Sequence, residues 1–472
     1  MRHEVARLGA GLCYGDVRIC EVVPRSKDQP VPVDARVLIV ARDDGVAGPL
    51  ARGLDQLGWR SVTARGPYAA LAALADLALD AVVIDLNSCG PDAIELGRRF
   101  SAAAAPRRLP VLAIGRPGAE PEAAEEFDLV LAAPVHPNQV ALRLESLVRL
   151  AVAEEEFQLR IETFADRGRR LELADEPDGG YRVLAVGEPA PQFLALSNAL
   201  SRGGGEVVGA FTAYTAFDYL HERAFESVVL WGGENQSEAL SIAAGMRRNS
   251  RLYHVPAVLY LKEGSQVTHA EAYGKGVSDV ASPDVAAAET AARVLELARA
   301  YRRQHAIRTA LERARSSGLM DPATGLFTRD LFAAHLARLS RASRERRRPL
   351  SVCVLKVADK PELIPIRREG WIDRAIPQIG SMIGRLVRAE DTAARLGPEV
   401  FGLALPATRM AQAVAAGERI AAVIACTAFE AGPSRPAFVV EFDIGVAEVD
   451  PDENAARALE RAAAKALQRQ AG

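Results

Sequence analysis

Apolar residues along this chain follow two rhythms. Short unbroken runs, RVLIV at Arg36–Val40, AVVIDL at Ala81–Leu86 and LPVLAIG around Pro110, have the length of strands buried on both faces. Between them, Leu50–Leu57, Ala69–Leu77 and Val140–Leu150 space apolar residues three and four apart, which predicts amphipathic helices. The pattern then returns. RVLAV at Arg182–Val186, SVVLWG at Ser227–Gly232 and VPAVLYL around Pro256 follow their counterparts at one offset of 146 residues (Val37 to Val183, Asp85 to Trp231, Pro110 to Pro256). A fourth pair, AAPV around Pro134 and ASPD around Pro283, is offset by 149, a three-residue insertion in a loop. Chance matches do not hold register over most of a domain, so the chain repeats itself. Each repeat predicts a doubly wound parallel sheet with its crevice at the carboxyl ends of the strands, where Asp85 stands.

The 472 residues, 49 % hydrophobic and 25 % charged, suit about three globular domains. The expected division is an N-terminal extension over 1–35, disordered, a first α/β unit over 36–150, a linker over 151–180 and a second α/β unit over 181–300. A connecting helix over 301–320 and a third unit over 321–472 complete it. Glu154–Glu156 read as a solvated helix end, and Ala174–Gly180 (ADEPDGG) as a turn-rich linker. Val294–Ser317 is helix-forming until Gly318, Pro322 and Gly325 break it. A formal charge of -3 gives no electrostatic reason to expect nucleic acid. Arg338, Arg341, Arg344 and Arg346–Arg348 form a basic cluster in a helix-to-strand loop, read as a solvated face. No run of 18 apolar residues and no apolar N-terminal signal is present, so the expectation is a cytoplasmic protein without membrane insertion. The five cysteines form no C-x-x-C pair, which argues against a disulfide framework or a zinc site.

Both repeats resemble receiver domains of two-component response regulators. In that family a central-strand Asp takes up a phosphoryl group, helped by an acidic pair, a Ser/Thr and a Lys. Asp85 matches the phosphoacceptor, but Ala41 and Arg42 stand at the acidic pair, Gly115 at the Ser/Thr and Ala133 at the Lys. Phosphoryl transfer needs a divalent cation held by carboxylates, so Asp85 stands as a candidate acceptor beside the reading of a solvated or helix-capping Asp. In the second repeat Trp231 replaces the acceptor and Ser282 the Lys, which implies a docking or dimerisation module.

The third unit opens on Asp321-Pro-Ala-Thr-Gly-Leu-Phe-Thr-Arg-Asp-Leu-Phe332, which resembles the D-x-L-T-G-L-x-N-R-x-x-F start of GGDEF domains. These are diguanylate cyclases, which join two GTP molecules into cyclic di-GMP. Ser351–Val357 resembles the first core strand, Ala394–Leu405 the signature hairpin and Val439–Val449 the later strand. Ile376, Ile379, Ile383 and Val387 keep helical spacing between them. The family's active site is dismantled. Its signature has become Gly397-Pro398-Glu399-Val400-Phe401, and proline removes a backbone N–H beside the triphosphate. Glu399 keeps one metal-binding carboxylate, Val400 has lost another, and Lys356 occupies a metal-ligand Asp position. Ile364 and Pro365 replace an Asn-Asp pair, although Asp373 still matches a guanine-binding carboxylate. Ala463 and Gln470 replace the Asp and Lys of a downstream motif. Without its metals phosphodiester formation loses its main charge stabilisation, so no catalytic metal and no cyclase activity are expected.

Arg388-Ala-Glu-Asp391 lies at the register of the family's R-x-x-D product-inhibition site. An Arg fork suits O6 and N7 of guanine, and a carboxylate suits its N1–H and amino group. The alternative is a surface i,i+3 salt bridge. Arg419 matches a second ligand-contacting Arg of the family. The order receiver, receiver, GGDEF is that of PleD-type regulators. A member with a broken signature and an intact inhibition site resembles the cyclic di-GMP receptors of the alphaproteobacterial cell cycle. That resemblance implies a homodimeric scaffold at the cell pole that recruits, through an RcdA-type adaptor, the regulator CtrA to the ClpXP protease. Two other readings stand beside it: an active cyclase with a divergent signature, and a phospho-switched adaptor indifferent to nucleotide.

Overall fold

The computed structural model describes residues 35–89, 92–115, 127–133, 135–173, 179–232, 236–249, 251–313, 318–432 and 435–468. The expected N-terminal extension, up to residue 34, lies outside them. The first sheet holds β1 (Arg36–Val40), β2 (Arg60–Ala64), β3 (Ala81–Asp85), β4 (Val111–Gly115) and β5 (Leu129–Ala132), all parallel, in the order β2-β1-β3-β4-β5. That is the flavodoxin-like doubly wound order. Alternate residues of β1 face opposite sides: Val37 and Ile39 join one core cluster, Leu38 and Val40 another. Apolar layers on both faces explain why these strands are unbroken hydrophobic runs.

β6 (Tyr181–Val186), β7 (Gly205–Ala210), β8 (Ser227–Gly232), β9 (Ala257–Leu261) and β10 (Asp279–Ala281) build a second parallel sheet in the same order. The repeat extends to register. Val37 pairs with Ala81 in the first sheet and Val183 with Ser227 in the second, each partner displaced by 146 residues. The third sheet is different. β11 (Phe327–Thr328), β12 (Leu350–Val357), β13 (Thr392–Gly397), β14 (Val400–Pro406) and β15 (Phe442–Glu448) run in the order β11-β13-β14-β12-β15, antiparallel except β11 with β13. The helix Trp371–Leu386 covers one face through Ile372, Ile376, Ile379 and Ile383.

Two expectations about polar clusters are corrected here. The helix that closes the first unit does not stop near 150; it runs 29 residues, Pro137–Ala165. Its second half buries Phe157 and Phe164 in one core with Phe332 and Leu336 of the helix Arg329–Arg346. Glu154–Glu156 therefore lie mid-helix, and Glu155 and Glu156 are buried rather than solvated. The basic cluster faces them. Arg338 lies on that output helix and bridges to Glu162 and Asp166, while Arg348 is buried and paired with Glu155. Arg338, Arg346 and Arg348 meet acids of this helix across the junction, while Arg341, Arg344 and Arg347 remain exposed, as a solvated face would be.

Candidate functional site

In the first sheet Asp85 ends β3, buried, and its Oδ1 accepts from the Asn87 N–H at 3.2 Å. The acids nearby in sequence are engaged elsewhere. Asp43 caps the helix Asp44–Gln56 through the Gly45 N–H at 2.8 Å, and Asp44 pairs with Arg65. Among the described residues no group of three or more His, Cys, Asp or Glu converges on a metal position. In the second sheet the equivalent position holds Trp231, stacked on Tyr260 at 4.2 Å and met edge-on by Phe193 at 5.8 Å. Gly187, at φ +142°, is needed there: a Cβ would lie 2.3 Å from that of Trp231.

Several positions that the resemblance assigns to the family's active site lie at the β13–β14 turn. Pro398 and Glu399 form the turn, flanked by Gly397 and Val400, which pair across it. Arg367, on the helix Leu363–Arg368, grips Glu399 from Nε at 2.9 Å and Nη2 at 2.8 Å, and Asp359 from Nη2 at 3.0 Å. Lys356 reaches the same Asp359 at 2.7 Å. The surviving carboxylate is thus already neutralised by a guanidinium, and an ammonium stands at the other ligand position. These residues do not fit Mg²⁺. Ile364 and Asp373 are exposed and contribute nothing to this cluster. Sequence reasoning missed Arg367, because its partner Glu399 lies 32 residues away in the chain.

Arg388 and Arg419 line one cavity of about 200 Å³ at the junction of all three units. Glu145 and Arg149 of the helix Pro137–Ala165 contribute from the first unit, and Arg247, Tyr253 and Tyr301 from the second. The Arg419 guanidinium lies 5.9 Å from the Tyr253 ring centre. The alternative reading, a surface salt bridge between Arg388 and Asp391, is not how the turn is built. Asp391 Oδ2 accepts from the Arg388 backbone N–H at 2.9 Å, and the guanidinium lies 4.0 Å from Glu390. Asp391 is only 7 % exposed, does not line the cavity, and its Oδ1 is buried without a partner. Burial pushes the Asp391 and Glu390 carboxyls above the ordinary range, and for Glu390 the adjacent Asp391 adds to it.

Residues 318–471 match the family described as diguanylate cyclase, GGDEF domain. The chain is also similar to the response regulator PleD of Caulobacter vibrioides (strain NA1000 / CB15N), 23 % identical over 437 residues that span 90 % of this chain and 95 % of that protein. Among solved structures, the GGDEF domain of DgcB from Caulobacter crescentus, in complex with c-di-GMP, is 23 % identical with a TM-score of 0.31, over 33 % of this chain and 89 % of its own. The FimX GGDEF domain from Pseudomonas aeruginosa is 23 % identical with a TM-score of 0.29, over 32 % and 92 %. The C-terminal unit is a GGDEF domain, in a chain with homology to a PleD-like response regulator. No helix among the described residues is long and apolar enough to cross a membrane.

Proposed function

We propose that this chain is a cyclic di-GMP effector without cyclase activity. The observation that carries the reading is the shared cavity: Arg388 and Arg419, far apart in sequence, meet beside Tyr253 and Tyr301. Guanidinium forks and aromatic faces recognise guanine edges and planes, and arginines also neutralise the phosphodiesters. The Arg367–Glu399 pair and Lys356 support the absence of turnover, because GTP would arrive at a site that repels its metal.

A cavity of about 200 Å³ is smaller than the roughly 300–1,000 Å³ that encloses a drug-sized ligand. On this reading a cyclic dinucleotide enters as the units part and brings a guanine N1–H to Asp391 Oδ1. Ligand shifts the arrangement by its differential affinity for the opened state. The pattern of losses resembles PopA, a cyclic di-GMP receptor of the alphaproteobacterial cell cycle. On that reading the ligand-bound homodimer is a polar scaffold that recruits CtrA through an RcdA-type adaptor for ClpXP degradation, and Asp85 serves polar targeting.

Calorimetric titration of the purified chain with cyclic di-GMP tests this, beside Arg388→Ala and a GTP plus Mg²⁺ control. Saturable binding lost in the variant, with no product from GTP, is the expected result. Product in the control overturns the inactive reading in favour of a divergent cyclase. No binding by the wild-type chain leaves a scaffold whose signal enters through Asp85.

A further inference from the structure

The turn that carries Arg388 and Asp391 is held from outside the cavity by a buried polar network on the helix leaving the first unit. Arg160 is fully buried there. Its Nη2 donates to the Asp391 carbonyl at 3.0 Å and to Thr392 Oγ1 at 3.2 Å, and its Nε donates to Glu156 Oε1 at 2.5 Å. The same Glu156 oxygen accepts from Thr392 Oγ1 at 3.0 Å and contacts His335 Nε2 at 2.8 Å. Neither Arg160 nor Glu156 lines the cavity. Glu154–Glu156 divide their partners. Glu154 pairs with Arg108 of the first unit and Arg303 of the second. Glu155 accepts from the Arg108 N–H and pairs with Arg348 of the third. Glu156 reaches the ligand turn itself.

We infer that Arg160 and Glu156 are positioning residues for the Arg388–Asp391 turn, so that affinity at that turn is set by a helix belonging to the first unit. The reason is geometric. Asp391 is the last residue before β13, and its carbonyl and the Thr392 hydroxyl are the groups that Arg160 and Glu156 fix. With the Asp391–Thr392 peptide held, the Asp391 carboxylate can turn back to the Arg388 N–H and leave Oδ1 for a ligand donor. Released, the peptide rotates and the carboxylate loses its aim. A buried hydrogen bond from a charged donor is strong enough for this to matter. It also gives the first unit a route to the ligand that needs no phosphorylation chemistry.

This inference rests on the receptor reading for its binding arm, and a second arm is independent of it. In the full chain, Arg160→Met should weaken cyclic di-GMP binding about tenfold, the scale of one lost charged hydrogen bond. Arg160→Lys should recover part of the loss by restoring a donor. On an Asp391→Ala background Arg160→Met should cost nothing further, because both act through one turn. Without ligand, hydrogen exchange at the amides of residues 388–392 should quicken in Arg160→Met and not in Arg160→Lys. If Arg160→Met does not fold, Glu156→Gln is read in its place by the same two measurements. Wild-type affinity together with unchanged exchange overturns the inference, as does an additive loss on the Asp391→Ala background. Quickened exchange in a chain that binds no cyclic di-GMP upholds the positioning role and overturns the receptor reading alone.

Discussion

Glu399 and Arg367 illustrate how a partly buried carboxylate finds a cation. Such a carboxylate is costly without a partner, and Arg367 supplies one through several hydrogen bonds. His335 makes the opposite case of a titratable group kept neutral. It is fully buried, and burial, with the nearby charges of Arg160 and Arg338, lowers its pKa despite the opposing pull of Glu156. In a neutral ring with its proton on Nε2, Nε2–H donates to Glu156, while Nδ1 lies 3.0 Å from the Thr163 hydroxyl, which itself donates to the Leu159 carbonyl at 2.7 Å. The sign of the linkage follows. Below about pH 6.5 the unfolded imidazole binds a proton that the folded one refuses, so stability falls as pH drops through that range. Urea denaturation between pH 5 and 7 should show a slope of up to about 1.4 kcal/mol per pH unit from this group. His335→Gln, which can offer one donor and one acceptor in the same places, should flatten it. An unchanged slope would mean that the ring is charged in the fold. Lys356 and Pro398 stand out in the sequence because each departs from the family motif that the domain resembles. Arg367 does not, since nothing in a linear pattern says which carboxylate an arginine will meet.

Among the elements, the helix Pro137–Ala165 departs most from the sequence reading. Three consecutive glutamates lower local hydropathy enough to look like a solvated end, yet Phe157 and Phe164 continue the apolar stripe beyond them. Burial of an acid depends on a partner hundreds of residues away, and that information is absent from a window of sequence. The strands were easier: both parallel sheets follow unbroken apolar runs, and the fixed repeat offset predicts even their pairing register. Glu155 shows what the hidden partners contribute. It is buried against Arg348, with Arg346 3.8 Å away and the Arg108 N–H at 2.5 Å. Removing one partner of such a pair leaves the other charge buried, which costs about 3–5 kcal/mol. Glu155→Ala should therefore lower the free energy of unfolding by about that amount, whereas Arg346→Ala should cost under about 1 kcal/mol, as a distant pair does. Equal effects of the two substitutions would show that Arg348 finds another acceptor.

At the scale of the whole molecule, the cavity proposed to take the ligand is lined from three units, so no single domain's sequence could reveal it. Arg388 and Asp391 were visible as a motif, but the covering of Asp391 and the arrival of Tyr253 and Tyr301 beside Arg388 belong to the assembly. If a cyclic dinucleotide enters by parting the units, contacts that hold them together without positioning the Arg388–Asp391 turn oppose binding, and the apparent affinity scales with the fraction of molecules that are open. The Glu154–Arg303 pair joins the helix leaving the first unit to the helix that closes the second at 3.0 Å, is partly exposed, and neither residue lines the cavity. A pair of this kind contributes about 0.2–1 kcal/mol. Arg303→Ala removes that much stability from the closed arrangement and no ligand contact, so cyclic di-GMP should bind up to about fivefold more tightly in calorimetry. Unchanged affinity would mean that the ligand enters without separating these two units. Weaker binding would mean that the docked arrangement is itself the competent one, with the second unit's aromatic residues forming part of the receptor rather than its cover.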